Sequence, residues 1–236
     1  KGKTEYENIF TDWEKTYAAW RPYAKHRQYI NEGINGSPLI AFAGSLLQLE
    51  AALVKPGTPM TDVKKLAEAA DKQRTAFLAE ENKVSDQQVV AAITKMFYED
   101  IEKNQQPIGF YGTLKNAYGP LDDDATYKKY AADLFSKTMI FDDNKWKAFI
   151  ANPDGVALQS DPAFAHASAF FTNYTSKYSP YFQQFNTSNT ELGRLYLKGI
   201  MEMDPVKAKM MYPDATSTMR VSYGAVKSYR PRDAVF

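Results

Sequence analysis

The sequence predicts a mainly α protein: an irregular multi-helix domain followed by a short C-terminal β segment. Apolar residues recur three or four positions apart along most of the chain, the spacing of one helix face, so more than half of the residues are expected to be helical. The breaks in this spacing are short and rich in Gly and Pro, as at Gly33–Pro38 and Lys55–Pro59. Beyond Met211 the pattern changes. Met219, Val221 and Tyr223 alternate with Thr218, Arg220 and Ser222, a period of two, and Gly224 follows as a turn or bulge residue. One or two strands do not form a stable sheet alone. The tail is therefore expected to belong to a β domain whose other strands lie outside the chain, which divides it into a helical domain over 1–210 and the start of a β unit over 211–236.

Each element has its own signal. Tyr6, Ile9, Phe10, Trp13, Tyr17 and Trp20 form the first apolar stripe, which runs on through Tyr23 to Ile30; Pro22 is expected to kink this helix or end it near Arg21. Leu39 to Val54 is apolar on nearly all sides and reads as one buried central helix. Thr61 to Asn82 is a charged amphipathic helix. Ser85 and Gln88 form a capping-box signature for a helix carrying Val89, Val90, Ile93, Met96, Phe97 and Ile101. Gln106 to Pro120, with Pro107, Gly109, Gly112 and Gly119, reads as a loop with at most a short helix.

Asp122, Asp123 and Asp124 precede a third stripe of Tyr127, Tyr130, Ala131, Leu134 and Phe135, and a short helix spans Asp143 to Ile150. Ser160-Asp161-Pro162 supplies a capping side chain and a proline for the first helical position. The helix it opens is expected to reach about Phe185, bent at Pro180, with Phe164, Phe171, Tyr178, Phe182 and Phe185 on one face. Leu192 to Met203 is the last helix, closed by Asp204-Pro205. No repeat of fixed period is present, which disfavours a solenoid.

Composition bounds the function. With 236 residues, 44% hydrophobic and 24% charged, the chain has apolar material for one large domain or two small ones. Lys and Arg number 29 against 28 Asp and Glu, so no global field points to nucleic acid or an anionic membrane surface. The lack of Cys removes disulfides, thiolate metal sites and a cysteine nucleophile, and leaves the compartment undecided. No apolar run reaches about 20 residues, so no membrane insertion is expected. Lys1-Gly2-Lys3-Thr4 is not followed by a signal-peptide core.

The candidate chemical groups each have a simpler explanation. Asp122 to Asp124 are consecutive, whereas calcium loops alternate carboxylates with other residues around a glycine turn; a helix start, which favours negative charge, accounts for them better. His26 and His166 are the two histidines. They are far apart in sequence and outside any HExxH, and read as satisfied or exposed helical residues rather than zinc ligands or a general base. No serine sits in a G-x-S-x-G elbow, and neither G-x-G-x-x-G nor a P-loop occurs. Asn152-Pro-Asp-Gly155 is first a turn. The aromatic residues recur at helical spacing and read as core rather than a stacking platform. No catalytic, cofactor-binding or metal-binding residue is assigned to this chain on these grounds.

The segment Met211-Tyr-Pro-Asp-Ala-Thr-Ser-Thr-Met-Arg-Val-Ser-Tyr-Gly224, followed by Val226-Lys-Ser-Tyr229 and Pro231-Arg-Asp-Ala-Val235, closely resembles the bacterial dipeptidyl-peptidases of serine peptidase family 46. Thr216 stands where that family usually has asparagine. Tyr17-Ala-Ala-Trp-Arg-Pro-Tyr23, and Tyr29-Ile-Asn-Glu-Gly-Ile34 with Leu39-Ile-Ala-Phe-Ala43, are similar to the family as well, so the resemblance spans the chain. It implies a parent enzyme with a chymotrypsin-like double β-barrel into which a large helical domain is inserted, capping the cleft and limiting access to peptide ends. It also implies removal of dipeptides from the free N-terminus of peptide substrates through an acyl-enzyme, with serine nucleophile, histidine base and aspartate orienter. In the family, histidine and aspartate precede the helical insertion and serine follows it. By that order no triad member falls on this chain, His26 and His166 included; the amine-binding asparagine would lie upstream of Lys1, and the determinants of side-chain preference beyond Phe236.

The expectation is thus the helical cap of an exported serine dipeptidyl-peptidase, periplasmic or at the cell surface, inactive alone and partnered by the missing β-barrel of the same parent chain. Exchange of the tail strand between two copies would make a homodimer. Two alternatives stay open. A free-standing helical protein-interaction module would show a large exposed aromatic groove. A metal-dependent hydrolase would bring the Asp122 run together with His166.

Overall fold

Proline has no backbone donor, yet Pro22 sits inside an unbroken helix, α1, spanning Ile9–Gln28. The computed structural model describes residues 4–211, 221 and 223–227 and shows why the helix does not end near Arg21. The stripe on both sides of the proline is engaged. Trp13 packs on Tyr196, Tyr17 on Phe185, Trp20 on Phe182 and Tyr23 on Tyr181. Gln105 Nε2 donates to the Pro22 carbonyl at 3.0 Å. Tertiary packing of an apolar face, rather than local propensity, decides whether such a helix persists. After Gln28 the chain loosens into a π-helical turn, Tyr29–Gly33, and a 3-10 turn, Ile34–Gly36.

Ser37 then opens α2, Pro38–Ser45: its hydroxyl accepts from the Ile40 N–H at 3.2 Å, and Pro38 occupies the first helical position. The single helix expected over Leu39–Val54 is two, because Leu46 adopts φ −78°, ψ −6° and its N–H turns back to the Ala43 carbonyl, so that α3 begins anew at Leu47–Val54. Gly44 allows a close approach there: a Cβ at this position would lie 2.4 Å from the Phe171 ring. Leu39, Ile40, Phe42, Ala43, Leu46 and Leu49 are all buried. Leu46→Ala is expected to cost about 2–5 kcal/mol by denaturant unfolding, and the half-buried Leu47 less; a near-zero cost at Leu46 would remove α2 and α3 from the centre of the fold.

Next come α4, Met60–Glu80, and α5, Lys83–Asp100. The cap of α5 is Asn82, not Ser85: the Asn82 side chain accepts from the Ser85 N–H at 3.2 Å, since asparagine three residues earlier is an equally good cap. A nine-residue helix, α6, Phe110–Tyr118, fits into the glycine-rich stretch, entered through Gly109 (φ 76°) and left through Gly119 (φ 129°). Asp123 caps α7, Asp124–Lys137, at the helix start expected for the acidic run, and Asp142 caps α8, Asp143–Ala151. The Asn152–Gly155 turn leads into a one-turn helix, α9, Gly155–Gln159.

Asp161 and Pro162 open α10, Pro162–Lys177. The helix expected to reach Phe185 stops earlier, at Tyr178 (φ −116°, ψ −27°), and α11, Ser179–Met203, restarts with Pro180 in its first turn. The helix expected from Leu192 is the second half of α11; the polar run Asn186–Glu191 hides this continuity in the sequence. Asp204 ends α11 and caps a final turn, α12, Pro205–Ala208.

Trp146, Tyr127, Phe97, Phe164 and Phe170 fill the centre of the core, which draws on α5, α7, α8 and α10 around α2. No residue of α11 is buried. That helix runs antiparallel along α1, and the two form an arm. The described residues contain no strand, and the fold is all-α, with helix over 81% of those residues. The strand expected at Ser217–Tyr223 lies mostly outside the described residues; Val221 and Tyr223 are exposed and belong to no strand. No single helix among the described residues is long and apolar enough to cross a membrane.

Candidate functional site

The two histidines are buried, not exposed. His26, on the inner face of α1, is closed in by the Phe97, Tyr174 and Tyr178 rings. Its Nδ1 lies 3.3 Å from Gln105 Oε1, and because the amide nitrogen of Gln105 is committed to Pro22, the imidazole is the donor. Burial pushes His26 down to about 4, with the Gln105 bond opposing. His166, on α10, stacks on Phe170, meets Phe110 edge-on, and lies 2.8 Å from the Tyr130 hydroxyl through Nδ1. Burial pushes it down to about 3. Neither ring touches a carboxylate or a serine hydroxyl, and the Nε2 of each is without a partner among the described residues.

A neutral buried imidazole has a sign that can be measured. Both pKa values are depressed from 6.5, so the stability they contribute is full above pH 6.5 and is lost as pH falls toward about 4 and about 3. At pH 5 the penalty is about 2 kcal/mol for each. Urea midpoints are expected to fall from pH 7 to pH 5, and replacing both histidines by glutamine should flatten that acid limb; an unchanged limb would assign it to carboxylates.

Among the described residues the acidic run is taken up by a helix cap and an ion pair. Asp123 accepts from the Ala125 N–H at 2.9 Å as the α7 cap, and Asp124 is paired with Lys95, which also reaches Glu99 at 3.5 Å. His166 faces the aromatic core instead. Among the described residues no three His, Asp or Glu side chains come together as metal ligands. Asp154, in the Asn152–Gly155 turn, accepts from the Ala157 N–H at 2.7 Å, a cap and not a ligand site. A cleft of about 700 Å³ between α5 and α7 is lined by Gln88, Lys95, Met96, Glu99, Asp124 and Tyr127. Its charges already compensate one another.

The arm carries the other notable surface. Phe10 on α1 is 68% exposed, and Leu197, Met201 and Met203 on α11 are exposed too. Lys198 pairs with Glu5 at 3.1 Å, so the 3-10 turn Thr4–Tyr6 that precedes α1 lies beside the end of α11. One cluster carries no signal in the sequence: Ser37, Glu81 and Asp86, brought together where α2 meets the α4–α5 turn. Asp86 reads in sequence as an ordinary acidic residue of a helix first turn, and nothing in the sequence signals a contact with residue 37.

Fold and side chains thus define an all-helical domain in which both histidines are buried among aromatic rings. The family model described as Peptidase S46 matches residues 1–236, and the chain belongs to the peptidase S46 family. It is similar to an Asp/Glu-specific dipeptidyl-peptidase of Flavobacterium psychrophilum, 29% identical over 99% of this chain and 31% of the relative. It is also similar to an Asp/Glu-specific dipeptidyl-peptidase of Porphyromonas gingivalis, at 27% over the whole chain and 32% of the relative. A dipeptidyl-peptidase 7 of Capnocytophaga gingivalis is 25% identical over 99% of this chain and 30% of the relative. The chain therefore spans about a third of the length of these relatives.

Proposed function

We propose that this chain is the helical cap of an exported serine dipeptidyl-peptidase, inserted into a β-barrel catalytic unit that supplies the triad. The observation that carries the reading is the arm: the chain comes in along α1 and leaves along α11 at adjacent points, held by Lys198 and Glu5, the arrangement of a domain inserted into another. The exposed apolar residues of the arm, Phe10, Leu197, Met201 and Met203, are the material of an inter-domain surface rather than of free solvent. In this reading residues 1–210 are the cap and 211–236 begin the second barrel. The substrates are peptides with a free N-terminus, the compartment is the periplasm or cell surface, and the cap limits which peptide ends reach the cleft. Relatives carrying two different names are similarly distant, so the dipeptide preference is not assigned.

The test is made in the full-length protein by replacing residues 9–203 with a short Gly/Ser linker, which the adjacency of the arm ends permits. The variant is expected to retain a folded barrel while losing discrimination between free and N-acetylated peptides. A folded variant with unchanged discrimination would end the cap reading.

A further inference from the structure

The junction of α2 with the α4–α5 turn contains a pair of carboxyl groups that no part of the proposed function uses. Asp86, on α5, is 4% exposed. Its Oδ2 accepts the Leu39 N–H at 2.9 Å, and the buried Ser37 hydroxyl lies close enough to favour the charged form of the same carboxyl, so Asp86 ties down the first turn of α2. Its other oxygen, Oδ1, and both oxygens of Glu81 are buried without a donor from the described residues. Glu81 faces Asp86 across this gap, near enough for the two carboxyls to shift one another's titration. Two carboxylates cannot hydrogen-bond to each other, because neither has a donor; a single proton between them makes one of them a donor and removes one buried charge.

We propose that Glu81 and Asp86 share one proton and form a pH-dependent latch that holds the start of α2 to the α4–α5 turn. With the proton present, Glu81 donates to Asp86, whose remaining charge is stabilised by Ser37 and the Leu39 N–H. Without it, two negative charges face each other in a largely dry junction. Lys83, at the start of α5, is the cation that acts on Glu81, and it is drawn aside over the Phe141 ring at 4.1 Å. From α2 the junction receives only the neutral donors of Ser37 and Leu39.

The direction of the effect follows from the burial of Glu81, which pushes its carboxyl up from 4.5 to about 7, with the neighbouring Asp86 adding to the shift. A group whose folded pKa is raised contributes stability that is complete below its unfolded pKa and is lost as pH rises through the folded one. The latch is therefore strong at mildly acid pH, weakens between 4.5 and about 7, and changes little above that. This is opposite in sign to the two histidines, which act on the core at α1 and α10.

Hydrogen exchange read by mass spectrometry on peptides covering residues 38–42 of the full-length protein reports the latch through the Leu39 amide. After correction for the intrinsic pH dependence of exchange, wild-type protection is expected to fall about ten-fold per pH unit across that window and then level off, the slope of a single proton. In Glu81→Gln the amide donates to Asp86 at every pH, so protection should stay flat. Flat protection in the wild type overturns the latch whether or not the variant folds. A parallel fall in wild type and variant overturns it as well. A gain in wild-type protection at alkaline pH on adding calcium ions, absent from Glu81→Gln, would make the pair a cation site and equally overturn the shared proton.

Discussion

Purified residues 1–236 are expected to release no dipeptide from a chromogenic dipeptide substrate above the blank. Acyl transfer needs a base within hydrogen-bond reach of a nucleophile and a group that orients the base. The two imidazoles fail on each count: His26 bonds to an amide, His166 to a phenol, and burial keeps both neutral and out of contact with solvent. Even enzymes stripped of a triad member retain about 10³ to 10⁴ over water, but that residue of activity comes from an oxyanion hole and substrate binding, which the proposed reading places in the barrel. Turnover by the purified chain that a serine-directed covalent inactivator abolishes would put a nucleophile on these residues and end the assignment of the triad elsewhere.

How far the sequence can be read depends on whether a feature is local. The caps Asp123 and Asp161 and the closing Asp204 are local signals, and each sits where its spacing places it. The helix breaks are not local. Pro22 ought to end a helix, but Gln105 and the aromatic face of α11 hold α1 together across it. Leu46 has nothing in its own identity that breaks a helix; the chain turns there to keep both Phe42 and Leu49 in the core. The polar run Asn186–Glu191 has a weak apolar stripe because α11 is a surface helix lying on α1, so it needs only a narrow apolar edge there. The same distinction covers the site. The missing motifs are what the sequence offers against a catalytic role for His26 and His166, whereas their burial is not legible there, because a helical histidine carries no mark of which face it occupies. The Glu81–Asp86 pair is invisible for the same reason: the Ser37 and Leu39 groups that complete it arrive from a distant part of the chain.

Asp161→Ala is expected to destabilise the domain by about 3–5 kcal/mol, a large fraction of the 5–15 kcal/mol typical of a folded domain. The sequence marks Asp161 as a cap, and it does accept the Ala163 and Phe164 N–H groups at 2.9 and 3.1 Å. Loss of a cap alone costs about 1 kcal/mol. The larger figure comes from what the cap also holds. Its carboxylate, 5% exposed, accepts the Met139 N–H at 2.6 Å and the Thr138 hydroxyl at 3.0 Å, joining the turn after α7 to the start of α10. Alanine leaves these buried donors without an acceptor, and an orphaned buried donor costs about 1–3 kcal/mol where a satisfied one contributes about 1. Asp161→Asn keeps an acceptor oxygen for the Ala163 and Phe164 N–H groups but turns its NH2 toward the Met139 N–H as a competing donor, so it should fall between wild type and alanine. Asp161→Ser restores the local cap without reaching across to Met139, which separates the two roles. If urea unfolding puts serine level with wild type and alanine only about 1 kcal/mol below, Asp161 is a helix cap and nothing more, and the link between α7 and α10 must lie in the apolar packing of the two helices instead.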